Sequence, residues 1–293
     1  MGEGDRLIPA VAMHPPRSPH RVAGPRLPLS LDWEDWFQLC CAPYDAPGAL
    51  DRFACRLPLA TDRALDLCAE LGAAATWFCL GDQARRHPAL LRRIVAQGHR
   101  IGLHGLTHRR AFEMDRTAFR AALRDGKALL EDISGVAVQG YRAPEWSLRG
   151  AARDWWEDLG EAGFVYDSSR APLALMGDPR WPRRAHRLPD GLWELPPPVL
   201  WSGPVRCPLW GWGLRVLPFG LLRRALEDLA VEDAGTPLVL HPWELDEGQP
   251  PLPGASPGHR FAHGAGLRGH GDRLRQLWVG LRLISLEDWI LEA

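Results

Sequence analysis

The sequence lacks the features of a membrane or exported protein. None of its 293 residues fall in an apolar run approaching the roughly 18 residues that a bilayer span needs. Residues 1–28 contain no continuous apolar stretch typical of a secretory signal, and Arg6 stands where a myristoylation motif requires Ser or Thr. We therefore expect a cytoplasmic protein without a stable membrane anchor.

The sequence also lacks cysteine pairs and an excess charge. Its six cysteines form no CxxC motif and have no regular spacing, which predicts reduced, mostly buried thiols. With 35 basic and 36 acidic residues, the net charge of −1 gives no basic field for nucleic acid. The 46% hydrophobic and 24% charged residues exclude a mostly disordered chain. The oligomeric state cannot be inferred from these numbers.

Tryptophan is the residue type in excess, with 14 copies against 3 tyrosines and 8 phenylalanines. Tryptophan can stack on sugars, but most copies are expected in the core. Five copies fall in or next to a Pro- and Trp-rich stretch, residues 171–213, and could form a stacking surface: Trp181, Trp193, Trp201, Trp210 and Trp212.

Helical and strand patterns alternate along the chain after a flexible leader, residues 1–28. The expected strands lie at residues 29–31, 74–80, 100–103, 136–141, 164–166, 238–240 and 283–285. The expected helices lie at residues 61–71, from 87 onward, 115–133, 148–161, 218–233, and on either side of the last strand. Residues 171–213 and 248–271 are expected to be irregular. Repeated βα units predict a parallel sheet, either open or closed into a barrel.

Polar residues occur where these strands end, which is the edge at which α/β proteins bind ligands. They are Asp32, His104, Arg142, Asp167 and His241. Five such placements predict a functional site at that edge.

The spacing of His104 and His108 places two imidazoles on one face of a helical turn, where both can bind one cation. A third ligand would come from the acidic run at Asp32, Glu34 and Asp35, which could instead complement a helix N-terminus. His241, taken alone, is expected to be structural; beside a metal it becomes a candidate proton donor.

Several motifs in order resemble the polysaccharide deacetylases with a NodB homology domain, carbohydrate esterase family 4. They are LSLDWEDWF, ATWFCLGDQARRHPALLRRIVAQGHRIGLHGLTH, GYRAP, YDSS, GLWELPP, LVLHPWELD and HRFAHGAGL. The subgroup found near exopolysaccharide and exosortase clusters is the most similar. The resemblance implies an α/β fold, a distorted (β/α) barrel with seven parallel strands and long Pro/Trp-rich loops. Residues 29–293 would form one deacetylase-like catalytic domain, with a C-terminal extension from about residue 245.

The resemblance also implies roles for individual residues. Asp32 matches the base, Arg142 the arginine that orients it, and His241 the acid that protonates the departing amine. His104 and His108 match the metal-binding histidines. The acidic ligand is Glu34 or Asp35, with Glu34 favoured. The ion would be Zn²⁺, with Co²⁺, Ni²⁺ and Mn²⁺ as alternatives.

Three further expectations concern the rest of the site. Asp167 is expected to support Arg142 or the acid, and Tyr141, Glu145 and Trp146 to line the substrate and oxyanion side. Glu145 follows Pro144 where many relatives have a tyrosine whose backbone N–H holds the oxyanion. Trp33 replaces a small aliphatic residue and is expected to narrow the site.

The implied activity is removal of N-acetyl groups from amino sugars of a polysaccharide or its precursor. Two alternatives remain open at this point. One is hydrolysis of another non-peptide C–N bond, in a formamide, a cyclic amide or a small-molecule acetamide. The other is a non-catalytic glycan-binding module that uses the tryptophan-rich loops.

Overall fold

A computed structural model describes residues 24–46, 48–149, 155–174, 176–202 and 205–293. Its strands are β1 Arg26–Trp33, β2 Thr76–Cys79, β3 Arg100–Leu103, β4 Gly140–Tyr141, β5 Tyr166–Asp167, β6 His186–Arg187, β7 Trp193–Glu194, β8 Val199–Ser202, β9 Val205–Pro208, β10 Leu238–Leu240 and β11 Arg282–Ile284. Its helices are α1 Ala49–Arg52, α2 Leu57–Glu70, α3 Gly81–Arg86, α4 Pro88–Ala96, α5 Arg116–Ser134, α6 Trp155–Glu161, α7 Trp212–Val216, α8 Phe219–Glu232, α9 Pro257–Gly264, α10 His270–Trp278 and α11 Leu286–Glu292.

The main sheet runs in the order β10-β1-β2-β3-β4-β5-β7-β6, with β11 also paired to β1. All its pairs are parallel except the one between β6 and β7. The parallel sheet curls into a half-barrel, and the described strands do not close it into a complete barrel. The predicted α/β fold of the distorted-barrel type is confirmed, with the parallel sheet curled into a half-barrel. The predicted count of seven strands is not, because eight parallel strands and antiparallel β6 form this sheet.

The helices follow from their sequences. Helix α5 begins after Asp115, whose carboxylate accepts the Ala118 N–H at 2.8 Å, and it ends at Gly135 with φ 74°. A side-chain cap and a left-handed residue after the last turn are common boundary signals. Helix α2 buries Leu57, Ala60, Thr61, Ala64, Leu65, Leu67 and Cys68 against the sheet.

The sheet carries the largest hydrophobic core, which contains buried residues of β1, β2, β3 and β10. Nearly every residue of these strands is buried, as expected for a parallel sheet covered by helices. Their carboxyl ends converge on one edge of the half-barrel, which brings residues distant in sequence together.

Most predicted elements are present, and the differences lie in loops and ends. Strands β3 and β10 have the predicted bounds, whereas α3 is an extra helix, and α9 lies in a stretch expected to be irregular. The helix expected at 148–161 is described only from Trp155, since residues 150–154 lie outside the described residues. Residues 1–23 of the expected leader also lie outside, and residues 26–28 pair with β11. None of the described helices combines the length and hydropathy needed to cross a bilayer.

The close packing of β4 against β5 can be tested at Gly140. A Cβ there would overlap the ring of Tyr166, whose hydroxyl donates to Glu287 Oε1 at 2.6 Å. We expect Gly140→Ala to lower the free energy of unfolding by about 1–3 kcal/mol, because overpacking moves this ring. The matched control is Gly220→Ala at an exposed position of α8, where no atom lies within 4 Å of the added Cβ. Urea unfolding with equal losses in both variants would contradict this prediction.

Candidate active site

The carboxyl ends of β1, β3, β4 and β10 bring four of the predicted polar residues together. Asp32 lies in β1, His104 follows β3, Arg142 follows β4, and His241 follows β10. The His104 and His241 Nε2 atoms lie 4.0 and 3.8 Å from Asp32 Oδ2. The sheet edge thus collects an acid, a cation and two imidazoles in one place.

Asp32 is held by a fully buried arginine. The Arg142 Nη1 atom donates to Asp32 Oδ1 at 2.6 Å, and Nη2 donates to Ser168 Oγ at 2.8 Å. The guanidinium also lies 4.3 Å from the centroid of the Phe78 ring. Because Oδ1 is bound by Arg142, Oδ2 is the oxygen that faces the two histidines.

Glu34, His104 and His108 form a cluster able to hold a metal ion, with one ligand atom of each within 4.8 Å of the others. The Glu34 Oε2 atom is 2.8 Å from His108 Nε2 and 3.5 Å from His104 Nε2. Despite these short distances, that buried oxygen forms no hydrogen bond of good geometry with any described residue. Two imidazoles and a carboxylate are a donor set typical of catalytic Zn²⁺ sites, so the residues fit a divalent ion.

Neighbouring groups orient both imidazoles. His104 Nδ1 donates to the Arg142 carbonyl at 2.9 Å, which leaves the Nε2 lone pair facing Glu34. His108 Nδ1 lies 3.4 Å from the Cys40 thiol. Burial opposes charge on Glu34, but the nearby histidines, His108 above all, hold its pKa well below its usual range.

Asp35 points away from this cluster. Its carboxylate accepts the backbone N–H groups of Trp36, Arg56 and Leu57 at 2.9, 2.9 and 3.2 Å, and so caps the start of α2. Alternation along the extended chain explains the difference, since Asp32 and Glu34 share one side. Trp33 lies on the other side, fully buried with its indole N–H on Thr61, so it does not narrow the site as expected.

His241 is oriented by a carboxylate three residues later. Glu244 Oε1 accepts from the backbone N–H of His241 at 3.0 Å and lies 2.8 Å from its Nδ1. The other oxygen, Oε2, lies 2.9 Å from Arg215 Nε, and both side chains are fully buried. With Nδ1 engaged, His241 presents Nε2 to Asp32 and to Glu34 Oε1, each at 3.8 Å.

The charges around His241 favour its protonated form. Burial lowers its pKa, but the bond to Glu244 and the charges of Glu34, Glu244 and Asp32 outweigh burial and raise the pKa to about 9. Burial likewise opposes the Glu244 carboxylate, yet Arg215 and His241 lower its pKa to about 2. At neutral pH the imidazolium therefore carries a proton at Nε2.

These groups open into a cavity of about 170 Å³. Its walls include four tryptophans: Trp146, Trp210, Trp212 and Trp243. The other three tryptophans of the expected stacking surface, Trp181, Trp193 and Trp201, each lie under an arginine and do not line the cavity. All fourteen tryptophans are buried or half-buried, in line with the expected core role.

Glu145 and Trp146 line the cavity in a strained backbone conformation, both with φ 51°. Non-glycine residues with positive φ are often found at functional sites. The Glu145 carboxylate binds the Cys40 N–H at 3.1 Å and Arg110 Nη2 at 2.7 Å. Among the described residues, no acceptor is found for the Glu145 backbone N–H.

Two predicted site residues lie elsewhere. The Tyr141 side chain is 1% exposed and packs on Phe119 and Phe164 in the core. Tyr141 is the last residue of β4, and its side chain points to the opposite side from that of the next residue, Arg142. Asp167 accepts from Ser169 Oγ at 2.5 Å, and among the described residues it has no hydrogen bond or ion pair with Arg142 or His241. Ser168 supports Arg142 instead, one residue along the chain.

Sequence reasoning did not single out Glu244 or Arg215. The i+3 spacing of Glu244 from His241, at a strand end followed by proline, is a signal that was available. Arg215 gives no such signal, because it comes from α7 in the tryptophan-rich stretch and meets Glu244 only through the tertiary fold.

Comparison with known proteins agrees with this architecture. A family model described as polysaccharide deacetylase matches residues 51–164, and the model of DUF3473, a domain of unknown function, matches residues 168–290. Over 125 residues the chain is 30% identical to a peptidoglycan deacetylase of Helicobacter pylori, covering 43% of this chain and 42% of that protein. Over 107 residues it is 33% identical to a chitooligosaccharide deacetylase of Rhizobium leguminosarum bv. trifolii, covering 34% and 50%.

A crystal structure of a candidate polysaccharide deacetylase from Mycobacterium smegmatis has the same fold, with a TM-score of 0.62 at 22% identity, over 96% of this chain and 93% of that one. The alignments span half or less of these two curated relatives. The chain contains a polysaccharide deacetylase domain of the NodB homology type. DUF3473 is the C-terminal extension typical of this subgroup.

The two neighbouring carboxylates can be separated by substitution. We expect Glu34→Gln to abolish binding of one Zn²⁺ per chain, because an amide replaces the carboxylate ligand. Asp35→Ala should keep the ion but lower the free energy of unfolding by about 1–2 kcal/mol, since α2 loses its cap. Zinc titration and urea unfolding measure the two effects. Zinc retained by Glu34→Gln and lost by Asp35→Ala would reverse the assignment.

Proposed function

We propose that this protein is a metal-dependent hydrolase that removes N-acetyl groups from amino sugars of a polysaccharide or its precursor. The observation that carries the proposal is the convergence of three parts on one cavity. These are the Arg142–Asp32 pair, the cluster of Glu34 with His104 and His108, and the oriented imidazole of His241. Relatives named as deacetylases of peptidoglycan and chitooligosaccharides support the substrate class.

Glu34, His104 and His108 would hold the divalent ion, for which we propose Zn²⁺. When bound, such an ion supplies a Lewis acid that lowers the pKa of water towards about 7 and polarises a carbonyl oxygen.

Asp32 serves as the general base. Its Oδ1 is fixed by Arg142, so its Oδ2 is the oxygen positioned to accept a proton from the attacking water. The bond from the guanidinium to Oδ1 prevents the carboxylate from rotating. General bases of this kind contribute about 10²–10⁴-fold to rate.

His241 serves as the general acid. Its Nε2 faces the cavity and carries the proton that the departing amine nitrogen requires. We also propose the Glu145 backbone N–H, for which no acceptor is found among the described residues, as a donor to the oxyanion. One such donor is worth about 3–4 kcal/mol in the transition state.

Acetate release tests the proposal. Wild-type protein supplied with Zn²⁺ should release acetate from N-acetylglucosamine oligomers, and His241→Ala should lower kcat by about 10²–10⁴-fold with metal content unchanged. His186→Ala, on the outer strand β6, is the control and should keep full activity. If the protein binds the saccharide but releases no acetate with any of the four candidate ions supplied, the result would favour a glycan-binding module. Release of a different product would favour another C–N substrate.

The role of Glu244 is tested through its effect on His241. Glu244→Gln should lower kcat by about 10²-fold with little change in KM and no loss of metal, because His241 Nδ1 loses its anionic acceptor. The single variant leaves the positive charge of Arg215 buried without its ion-pair partner. The double variant Glu244→Gln/Arg215→Met removes that charge and is measured in parallel. The acidic limb of the pH–rate profile should persist, while the basic limb should move to lower pH as the pKa of His241 falls. Full activity in the folded double variant would show that Glu244 does not act through His241.

A further inference from the structure

Helices α7 and α9 and the first two turns of α8 contribute to the surface beside the cavity, and α7 and α9 also line the cavity. Four large apolar side chains on it are exposed: Val216 by 39%, Phe219 by 38%, Leu221 by 39% and Phe261 by 55%. Three exposed arginines accompany them, with Arg224 in α8, Arg260 in α9 and Arg268 in the loop after α9. We call this set of seven residues the cationic apolar face.

Contacts between the elements make the face continuous. The rings of Trp212 in α7 and Phe261 in α9 lie 6.2 Å apart. Arg215 of α7 donates to carbonyls at the end of α9, including that of His263 at 2.6 Å. Arg273 of α10 lies 5.8 Å from the ring of Phe219 and donates to the Leu214 carbonyl at 2.8 Å, so the start of α8 is fixed against α7.

The charge on these segments is of one sign. Residues 195–226 and 248–271 contain six arginines and no aspartate or glutamate, although the whole chain has 35 basic and 36 acidic residues. The first acidic residues on α8, Glu227 and Asp228, begin its third turn, and Glu227 pairs with Arg223 at 2.6 Å. Among the described residues, no ion pair involves Arg224, Arg260 or Arg268.

The face borders the mouth of the catalytic cavity. Trp212 of α7, and His259 and Ala262 of α9, line that cavity, while Phe261 between them points outward. Exposed apolar side chains beside arginines without ion pairs are typical of surfaces that bind a membrane. On such a surface the apolar groups enter the headgroup region and the arginines contact anionic lipid.

We propose that the cationic apolar face docks reversibly on an anionic lipid bilayer and places the mouth of the cavity at its surface. A saccharide carried by a membrane lipid would then reach the catalytic residues from the bilayer. Docking itself does not rest on the proposed deacetylase activity, since it depends only on the face.

Vesicle co-sedimentation of the full chain tests the proposal. The protein should bind vesicles of phosphatidylglycerol and phosphatidylcholine but not pure phosphatidylcholine, and binding should be lost at about 1 M salt, where charges are screened beyond about 3 Å. Phe219→Ser/Phe261→Ser and Arg224→Glu/Arg260→Glu should each lower partitioning at least tenfold. The matched controls are Val231→Ser, 78% exposed near the end of α8, and Leu291→Ser, 80% exposed on α11, which should leave partitioning unchanged.

Three results would overturn the proposal: no vesicle binding by folded wild-type protein, equal binding to neutral vesicles, or equal losses in the control variants. Concentration-dependent dimerisation abolished by Phe219→Ser/Phe261→Ser, without vesicle binding, would assign the face to a second copy instead. Vesicle binding is measured without substrate. Vesicle binding together with no release of acetate would therefore refute the proposed activity and leave the docking proposal intact.

Discussion

The candidate active site depends on the buried ion pair between Arg142 and Asp32. A guanidinium that is fully buried requires a partner for its charge, because removing one member of such a pair costs about 3–5 kcal/mol. Here Asp32 supplies the charge, Ser168 accepts a further N–H, and Phe78 covers the planar face. The backbone carbonyl of the same arginine accepts from His104, so Arg142 orients both the base and a candidate metal ligand.

Much of this arrangement could be predicted from the sequence because it follows from local rules. The predicted bounds of strands β3 and β10 match the observed ones, since each is a short, mainly apolar run that is followed directly by a histidine. The polar residues at the ends of parallel strands were expected to meet, and Asp32, His104, Arg142 and His241 do. The same period of two places Glu34 beside Asp32 and turns Asp35 towards α2.

The rest could not be predicted because it depends on which segments pack together. Asp167 ends a strand as the other site residues do, but the adjacent Ser168 is the residue that meets Arg142. Tyr141 precedes Arg142 and therefore points into the core. Helices α7 and α9 lie in Pro- and Gly-rich stretches without clear periodicity, and their position is set by tertiary contacts such as those of Arg215.

The division of the site between the two matched segments gives residues 168–290 a physical role. His104 and His108 lie within residues 51–164, whereas Arg215, His241 and Glu244 lie within residues 168–290, the part matched by the domain of unknown function. Arg215 joins Glu244, which orients His241, to the end of α9, which forms a wall of the cavity. A buried ion pair is weak support for stability, and this one matters to the site through the positions of Glu244 and α9 that it links. A change in the position of α9 would therefore alter the shape of the cavity and the orientation of the proposed acid together. Residues 168–290 thus belong to the site itself.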